Sequence, residues 1–428
     1  MSKGTIFYVG GFEMPDKNAA AQRVLSNAKI FRDLGYDVVF LGVDRLTESG
    51  GASPSSPSST TSPTSPASTD SPVSPSGLVN DVMKTKSAFQ GFDCWSIPYP
   101  VSTGQWIRYL SSIDSFVRVI SLYTDVRAVI CYNYQSLAMV KIRGYCWKNK
   151  IKLLADCTEW YSTKGANFVF KVIKGLDSMA RMRFVQKQLD GIIVISKYLQ
   201  DYYKASKNVL RIPPLVDLSE EKWNRAANTG DAGDAHDKIR LVYSGSPSRN
   251  KEMLDFVLGL LYQLKDRQNF IFYIIGISKE QYLSMYGYGD NIIDHPHGNV
   301  LFLGRLPHDK SLQYIASADF SLLARDDTRM NKAGFPTKFV ESISCGTPVI
   351  ANRTSDLEDY ISEGENGFFI DPGNTQDSLD ILNKILAMPA DEIARMKNHC
   401  LESRVFHYEN YIGQMKEFLK KIYKTDLE

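Results

Sequence analysis

The sequence predicts an α/β protein built from two doubly wound, Rossmann-like domains, and three observations carry that prediction. Almost wholly apolar runs such as Thr5–Val9 and Phe270–Ile275 alternate with stretches of helical periodicity, as parallel strands covered on both faces require. Glycine or polar residues follow several of those runs, as at Gly10-Gly11, Asp156 and Ser244-Gly245. The length of 428 residues accommodates two cores of ordinary size.

Bulk composition narrows the class. Apolar residues make up 43% and charged residues 23%, as in a typical globular protein. A net charge of +2 is no polycation, so nucleic acid is not an expected partner. The six cysteines (Cys94, Cys131, Cys146, Cys157, Cys345 and Cys400) show no CxxC or Cys/His cluster. They read as reduced, buried thiols and not as a disulfide frame or a zinc site. The start MSKG leads straight into the first apolar run, with no leader signature, and no segment approaches the ~20 apolar residues of a membrane span. A cytoplasmic location is expected, with any membrane contact peripheral.

Taken in order, Thr5–Val9 is a strand, Gly10-Gly11 its turn, Ala19–Leu34 a helix and Asp37–Val43 a second strand. The glycine pair lacks the G-x-G-x-x-G spacing of a dinucleotide fingerprint. Residues 49–77 contain only Ser, Pro, Thr, Gly, Ala, Val and one Asp. They hold too little apolar surface to offset ordering entropy, which predicts a disordered tether inserted in the first domain. Cys94–Ile97, Ala128–Cys131, Ile151–Ala155 and Gly191–Ile195 continue the strands, with helices over Trp106–Tyr123 and Leu137–Asn149. Asp156 and Glu159 follow the strand Ile151–Ala155, at the end where parallel sheets place their sites, and are the candidate catalytic acids. Helix capping by Asp156 and solvation of Glu159 are the alternative.

From Asn167 to Gln188 the chain is amphipathic and basic: Phe168, Val172, Leu176 and Ala180 recur at helical spacing, with Lys171, Lys174 and Arg181 on another face. Such a helix either lies on an anionic bilayer or packs on its own domain with a solvated basic face.

The second domain opens with the strand Ile239–Tyr243, a loop from Ser244 to Lys251 and a helix through Leu264. Phe270–Ile275, Asn299–Leu303 and Asp319–Leu323 are further strands. The stretch Gly334 to Asn352 is a loop, a short helix with Pro336 in its first turn, a stop at Gly346-Thr347-Pro348 and a buried strand. Phe339 and Ile343 form its inward stripe, while Lys338 and Glu341, three residues apart, share a face near the helix start. A lysine and a carboxylate beside a helix N-terminus suit a phosphate and a sugar diol.

This stretch resembles the donor-nucleotide region of GT-B glycosyltransferases, the retaining group called family 4 or group 1. Ile212-Pro-Pro-Leu-Val-Asp217 resembles that group's I-P-N-G-V-D hinge, and Gly364–Ile370 its terminal N-G-F step. The resemblance implies two Rossmann-like domains facing a central cleft. Residues 1–216 would be the acceptor domain, 217–238 a linker, 239–408 the nucleotide-sugar domain and 409–428 a helix crossing back. It implies transfer of a sugar from a nucleotide-diphosphate donor to a hydroxyl of a growing glycan or lipid-linked saccharide. Retention of configuration is implied, with neither metal nor cofactor, at the inner face of the plasma membrane. Glu341 matches the position that grips ribose, where one carboxylate accepts from two vicinal hydroxyls. Lys251, Lys338 and Arg325 are the implied cations for the diphosphate, and backbone at Gly10, Gly11 and Gly245 lines the phosphate path. Contact with the bilayer is assigned to 167–188.

The chain departs from the family pattern in places. Ser246 stands where an arginine usually follows the glycine, with Arg249 or Arg325 as substitutes, and Ala333 stands where E-x7-E has its first glutamate. No histidine lies near Asp156. The pair Asp326-Asp327 reads as solvated and not as a metal site. Two other readings stay open: a catalytically inactive binding or scaffold protein, and a nucleotide-sugar epimerase or hydrolase on the same scaffold.

Overall fold

A computed structural model describes residues 2–15, 18–44, 86–160, 168–223, 238–247, 251–287 and 297–424. The tract 49–77, Asn167, Arg249 and the 224–237 part of the expected linker lie outside the described residues. The chain divides into two compact units, Met1–Leu215 with Tyr408–Glu428, and Val216–His407.

The first unit begins with β1 (Thr5–Gly10), α1 (Ala19–Asp33), β2 (Asp37–Asp44), β3 (Ser87–Phe89) and β4 (Phe92–Pro98). It continues with α2 (Thr103–Ser111), α3 (Asp114–Ile120), β5 (Val126–Tyr132), α4 (Ser136–Lys148) and β6 (Lys152–Cys157). Then come α5 (Phe168–Ala180), β7 (Gly191–Val194), α6 (Lys197–Tyr203) and β8 (Val209–Arg211). The strand order is β3-β4-β2-β1-β5-β6-β7-β8. Every pairing is parallel except the edge pair β3 on β4. All six residues of β1 are buried, the signature of a central strand covered on both faces.

The second unit holds β9 (Ile239–Ser244), α7 (Leu254–Gln263), β10 (Phe270–Ile275), α8 (Lys279–Tyr286), β11 (Val300–Gly304) and α9 (His308–Ser317). After β12 (Phe320–Leu323) come α10 (Arg329–Ala333), α11 (Thr337–Ser344), β13 (Val349–Ala351) and β14 (Gly367–Phe369). The helices α12 (Thr375–Leu386) and α13 (Ala390–Ser403) complete it. Its sheet is wholly parallel, in the order β11-β10-β9-β12-β13-β14. Strand order therefore reverses between β1 and β5 in one unit and between β9 and β12 in the other. Open parallel sheets hold ligands at the carboxyl ends of the strands flanking such a reversal.

The final helix, α14 (Ile412–Lys424), returns to the first unit. Met415, Phe418, Leu419 and Ile422 recur at i, i+3, i+4 and i+7 and enter the same core as Val24, Phe31 and Ile193. Lys421 and Lys424 in its last turn complement the carbonyl end of the helix dipole.

Local departures from the sequence prediction have physical causes. The helix expected over Trp106–Tyr123 is two helices. Ser112 is extended, and its hydroxyl accepts from the Asp114 amide at 3.1 Å, so the side chain replaces a helical bond and restarts the chain. Pro336 is the N-cap of α11 and not its first-turn residue. The expected linker 217–238 is tied down where it begins: the Val216 amide donates to Phe406 O at 3.0 Å and the Leu218 amide to His407 Nδ1 at 3.2 Å. Strands β3 and β8 were not foreseen. Both are three residues long, and neither has a buried residue to mark it.

Removing the ring of Phe418, which is 4% exposed, should destabilise the first unit by about 3–5 kcal/mol through the cavity left under α14. Denaturant unfolding of Phe418→Ala, followed by a probe in the first unit, would show this as a lowered midpoint with an unchanged slope.

Candidate functional site

In the first unit Asp156 lies within β6, one residue before its end and not in the loop after it, and is wholly buried. Arg23 of α1, 4% exposed, donates to its Oδ1 from Nε at 3.0 Å and from Nη2 at 2.8 Å. Tyr8 Oη and Asn27 Nδ2 donate to Oδ2 at 2.5 and 3.3 Å. Arg23 Nη1 donates onward to the carbonyls of Ile212 and Pro213, at 3.0 and 3.3 Å. Burial works against the Arg23 charge, yet the Asp156 carboxylate carries the guanidinium above its ordinary range. Burial, with Asp156 beside it, drives the Tyr8 phenol far up, so it stays a donor. The reading of Asp156 as a catalytic acid is corrected here. Both its oxygens are committed to an interior clamp that joins α1, β1 and β6 to the segment leaving β8.

Glu159 differs. It is half-buried, and Asn133 Nδ2, which bonds Thr158 Oγ1 at 2.6 Å, reaches its Oε1 only at 3.4 Å. It also attracts the Lys174 ammonium, which burial otherwise lowers. Asn133 follows β5 with φ +43 and Gly10 ends β1, so Glu159 stands one strand from the reversal point. At Gly10 a Cβ would meet Tyr132 O at 2.6 Å, so contact between β1 and β5 already demands this glycine. Gly11 is exposed and has room. A cavity of about 360 Å³ in this unit is lined by Ile97, Arg108, Tyr109, Phe116 and Tyr134 among others. Tyr109 Oη lies 3.7 Å from where a Gly11 Cβ would be.

In the second unit Gly245 follows β9 with φ +138, a conformation closed to other residues, and its Cβ would fall 2.0 Å from Lys338 Cε. Lys338 runs through that space. Its ammonium donates to Tyr243 Oη at 2.7 Å and to Glu252 Oε1 at 2.5 Å, and lies 4.4 Å from the centre of the Tyr243 ring. Tyr243 Oη in turn donates to Glu252 Oε2. Burial alone would raise the Glu252 carboxyl, but Lys338, with help from Tyr243 and Arg325, holds it below the ordinary 4.5. Burial likewise draws Lys338 below an ordinary lysine, against the pull of Glu252.

Arg325, at the end of β12, is 7% exposed. Its Nη2 donates to Asn331 Oδ1 at 3.0 Å, and Asn331 Nδ2 is fixed by the carbonyls of Lys251 and Asp326 at 2.9 and 2.8 Å. Nε and Nη1 of Arg325 are buried without a hydrogen-bond partner among the described residues. Burial lowers this guanidinium and Glu252 only partly offsets it. Two cations thus share one carboxylate at the reversal point of this sheet. A cavity of about 750 Å³ lies against Arg325, with Arg353 and the carboxylates Asp326, Asp327, Glu363, Asp371, Asp377 and Asp380 in its lining; Lys338 does not border it.

Glu341, one turn beyond Lys338 on α11, points elsewhere: its Oε1 lies 3.2 Å from His308 Nε2 at the start of α9. Lys338 and Glu341 share a helix but not a partner. Lys251 is exposed and enters the cluster through its carbonyl. Ala333 is wholly buried, where the family pattern has a glutamate. Asp327 pairs with Lys332 at 2.8 Å in an exposed position, while Asp326 is half-buried. The sequence did not single out Tyr243, Glu252, Asn331 or His308; only the position of Glu252 beside Lys251 hinted at it.

Two open sheets wound on both faces, with charge gathered at their reversal points, define the GT-B class of glycosyltransferase fold. Sucrose-phosphate synthase from Thermosynechococcus elongatus shares it at a TM-score of 0.62 and 15% identity, over 99% of this chain and 100% of that one. Anabaena HepE in complex with UDP does so at 0.62 and 14%, over 97% and 99%. The catalytic domain of starch synthase IV from Arabidopsis thaliana, bound to ADP and acarbose, gives 0.64 and 10%, over 99% and 100%. Likeness at such identities is one of fold. Residues 225–400 match the family described as glycosyl transferases group 1, so the second unit carries a group 1 glycosyltransferase domain. No curated protein matches the sequence.

Breaking the buried pair through Asp156→Ala should cost about 3–5 kcal/mol of stability, whereas Glu159→Gln should stay within about 0.5 kcal/mol. Thermal unfolding of both variants checks the division between clamp and candidate site. For Glu252, a folded-state pKa below 4.5 means its stabilisation is complete above that pH and is lost as pH falls through the lower value. Glu252→Gln should therefore lose about 1.5–3 kcal/mol near neutrality, with the gap to wild type closing on acidification. Denaturant midpoints measured from pH 7 downward would reveal it.

Proposed function

We propose that this chain moves a sugar from a nucleotide-diphosphate donor to an acceptor hydroxyl, holding the donor in its second unit. The observation that carries the reading is Arg325, whose Nε and Nη1 are buried without acceptors among the described residues, at the edge of a cavity of about 750 Å³. A desolvated guanidinium in that state is unfavourable until an anion completes its bonding, and a diphosphate offers several charged acceptor oxygens. Lys338 adds a second cation, the backbone at Gly245 passes close by, and the exposed ammonium of Lys251 would turn toward the donor on binding. Glu341 takes the ribose hydroxyls, exchanging His308 for the diol.

In the transfer the bond from the anomeric carbon to the diphosphate oxygen breaks, and its electron pair leaves with the nucleotide. The acceptor oxygen bonds to the anomeric carbon, and its proton passes to the departing diphosphate oxygen. Charge on the leaving diphosphate grows as that bond breaks, so fixed cations stabilise the transition state more than the ground state. Retention of configuration, and reliance on these cations in place of a metal or cofactor, belong to the proposal. Glu159, Gly10 and Gly11, at the strand ends of the first unit, serve the acceptor. That acceptor is a hydroxyl of a growing glycan or a lipid-linked saccharide, met at the cytoplasmic face of a membrane through residues 167–188. HepE in complex with UDP and with UDP-glucose, and starch synthase IV bound to ADP, support the nucleotide part of the reading.

A thermal-shift panel of UDP-, GDP-, ADP- and TDP-sugars tests it. One donor class should raise the melting temperature of wild type, since ligand at a hundredfold over its Kd stabilises by about 2.7 kcal/mol. Arg325→Met and Glu341→Gln should each weaken that donor by about tenfold or more, with their unliganded folds intact. A folded wild type unmoved by every donor, or an equal shift in both variants, would overturn the assignment.

A further inference from the structure

Exposed apolar side chains of the first unit concentrate on three helices. On α4, Leu137, Val140 and Trp147 are exposed, Trp147 by 82%. They recur at i, i+3 and i+10 along one face, which also carries Lys141 and Lys148. On α5 and the π-helical turn Arg181–Val185 that continues it, Leu176, Met179 and Phe184 are exposed. Val101 and Ile107 add to them at α2, a helix that buries no side chain at all.

These helices adjoin. α2 packs on α4, and α4 packs on α5. Asp177 of α5 accepts from the amide and the hydroxyl of Ser136 at the start of α4, at 2.8 and 2.6 Å. A short helix with nothing buried gains little from water, so α2 calls for a further surface.

The charge around this face is equally uneven. Residues 101–190 hold fourteen Lys and Arg against six Asp and Glu, net +8 in a chain of net +2, which leaves the remainder at −6. Lys141, Lys148, Lys150, Arg183 and Lys187 are exposed among the apolar residues. No helix among the described residues is long and apolar enough to cross a membrane.

We infer that α2, α4, α5 and the π-helical turn form one docking face for an anionic lipid bilayer. The apolar stripe enters the boundary between headgroups and acyl chains, and the lysines and arginines meet the lipid phosphates. The face extends well beyond residues 167–188, with α4 at its centre. It deepens the acceptor part of the proposed function but is independent of the donor site, so Arg325→Met should bind vesicles as wild type does.

Sedimentation with phosphatidylcholine vesicles, with and without phosphatidylglycerol, tests the inference. Wild type should pellet with the anionic vesicles only, less so as salt rises, and tryptophan emission should shift to the blue. Trp147→Phe should remove most of that shift while binding persists. Leu137→Ser with Leu176→Ser, and separately Lys141→Gln with Lys148→Gln, should each weaken binding by roughly tenfold or more. All four positions are exposed or on the rim, so melting temperatures should hold. Absence of anionic-vesicle binding at low salt, or binding untouched by both pairs, would overturn it. So would a concentration-dependent dimer that the same substitutions dissociate, which would make the face an interface between copies.

Discussion

Lys338 reaches the hydroxyl of Tyr243 and the carboxylate of Glu252 only by crossing the space where a side chain at position 245 would stand. The rest of the second unit's site follows from that passage. Glu252 stays ionised in a largely dry corner because the ammonium is beside it, and Tyr243 is fixed by both. Arg325 adds a second cation, which Asn331 holds by one nitrogen. Its buried Nε and Nη1 have no partner among the described residues, which is unfavourable in the free protein. In the proposed function an anionic group of the donor would meet them.

The first unit buries charge to the opposite end. Arg23 and Asp156 neutralise each other in the interior, and the surplus donors of the guanidinium are spent on the carbonyls of Ile212 and Pro213. All three guanidinium nitrogens are thereby matched within the protein. A buried pair of this kind adds little net stability over an apolar packing, but losing one partner is severe, so it fixes which segments meet. The contrast is between two arginines: Arg325 keeps two nitrogens without a partner among the described residues, whereas Nε, Nη1 and Nη2 of Arg23 are all bonded.

Much of this was legible from residues alone. Continuous apolar strands betrayed parallel sheets, and the stretch from Gly334 to Asn352 gave the short helix, its Phe339 and Ile343 stripe and the glycine stop. Asp156 shows the limit. Its position after an apolar run is the same whether it faces solvent or the core, and the partner that decides the matter, Arg23, is far away in sequence. Arg325 fails the other way: spacing set it no higher than Lys251 and Lys338, because burial and unmatched donors are properties of packing and not of spacing. The basic helix 167–188 was visible by periodicity, as was much of α2 and α4, yet their adjacency to it was not, since a face shared by three helices has no period along the chain.

The order of the chain and the order of its units do not agree. The core of the first unit includes Met415, Phe418, Leu419 and Ile422, which are made after every residue of the second. On the ribosome, therefore, the sheet of the first unit must wait, its surface over α1 and β8 uncovered, while the second unit emerges and completes its own core. Folding from the amino terminus onward, the common habit of multidomain chains, is here reversed at its last step. The last helix acts as a latch on synthesis: a ribosome that stalls short of it releases a finished second unit joined to a first that cannot close.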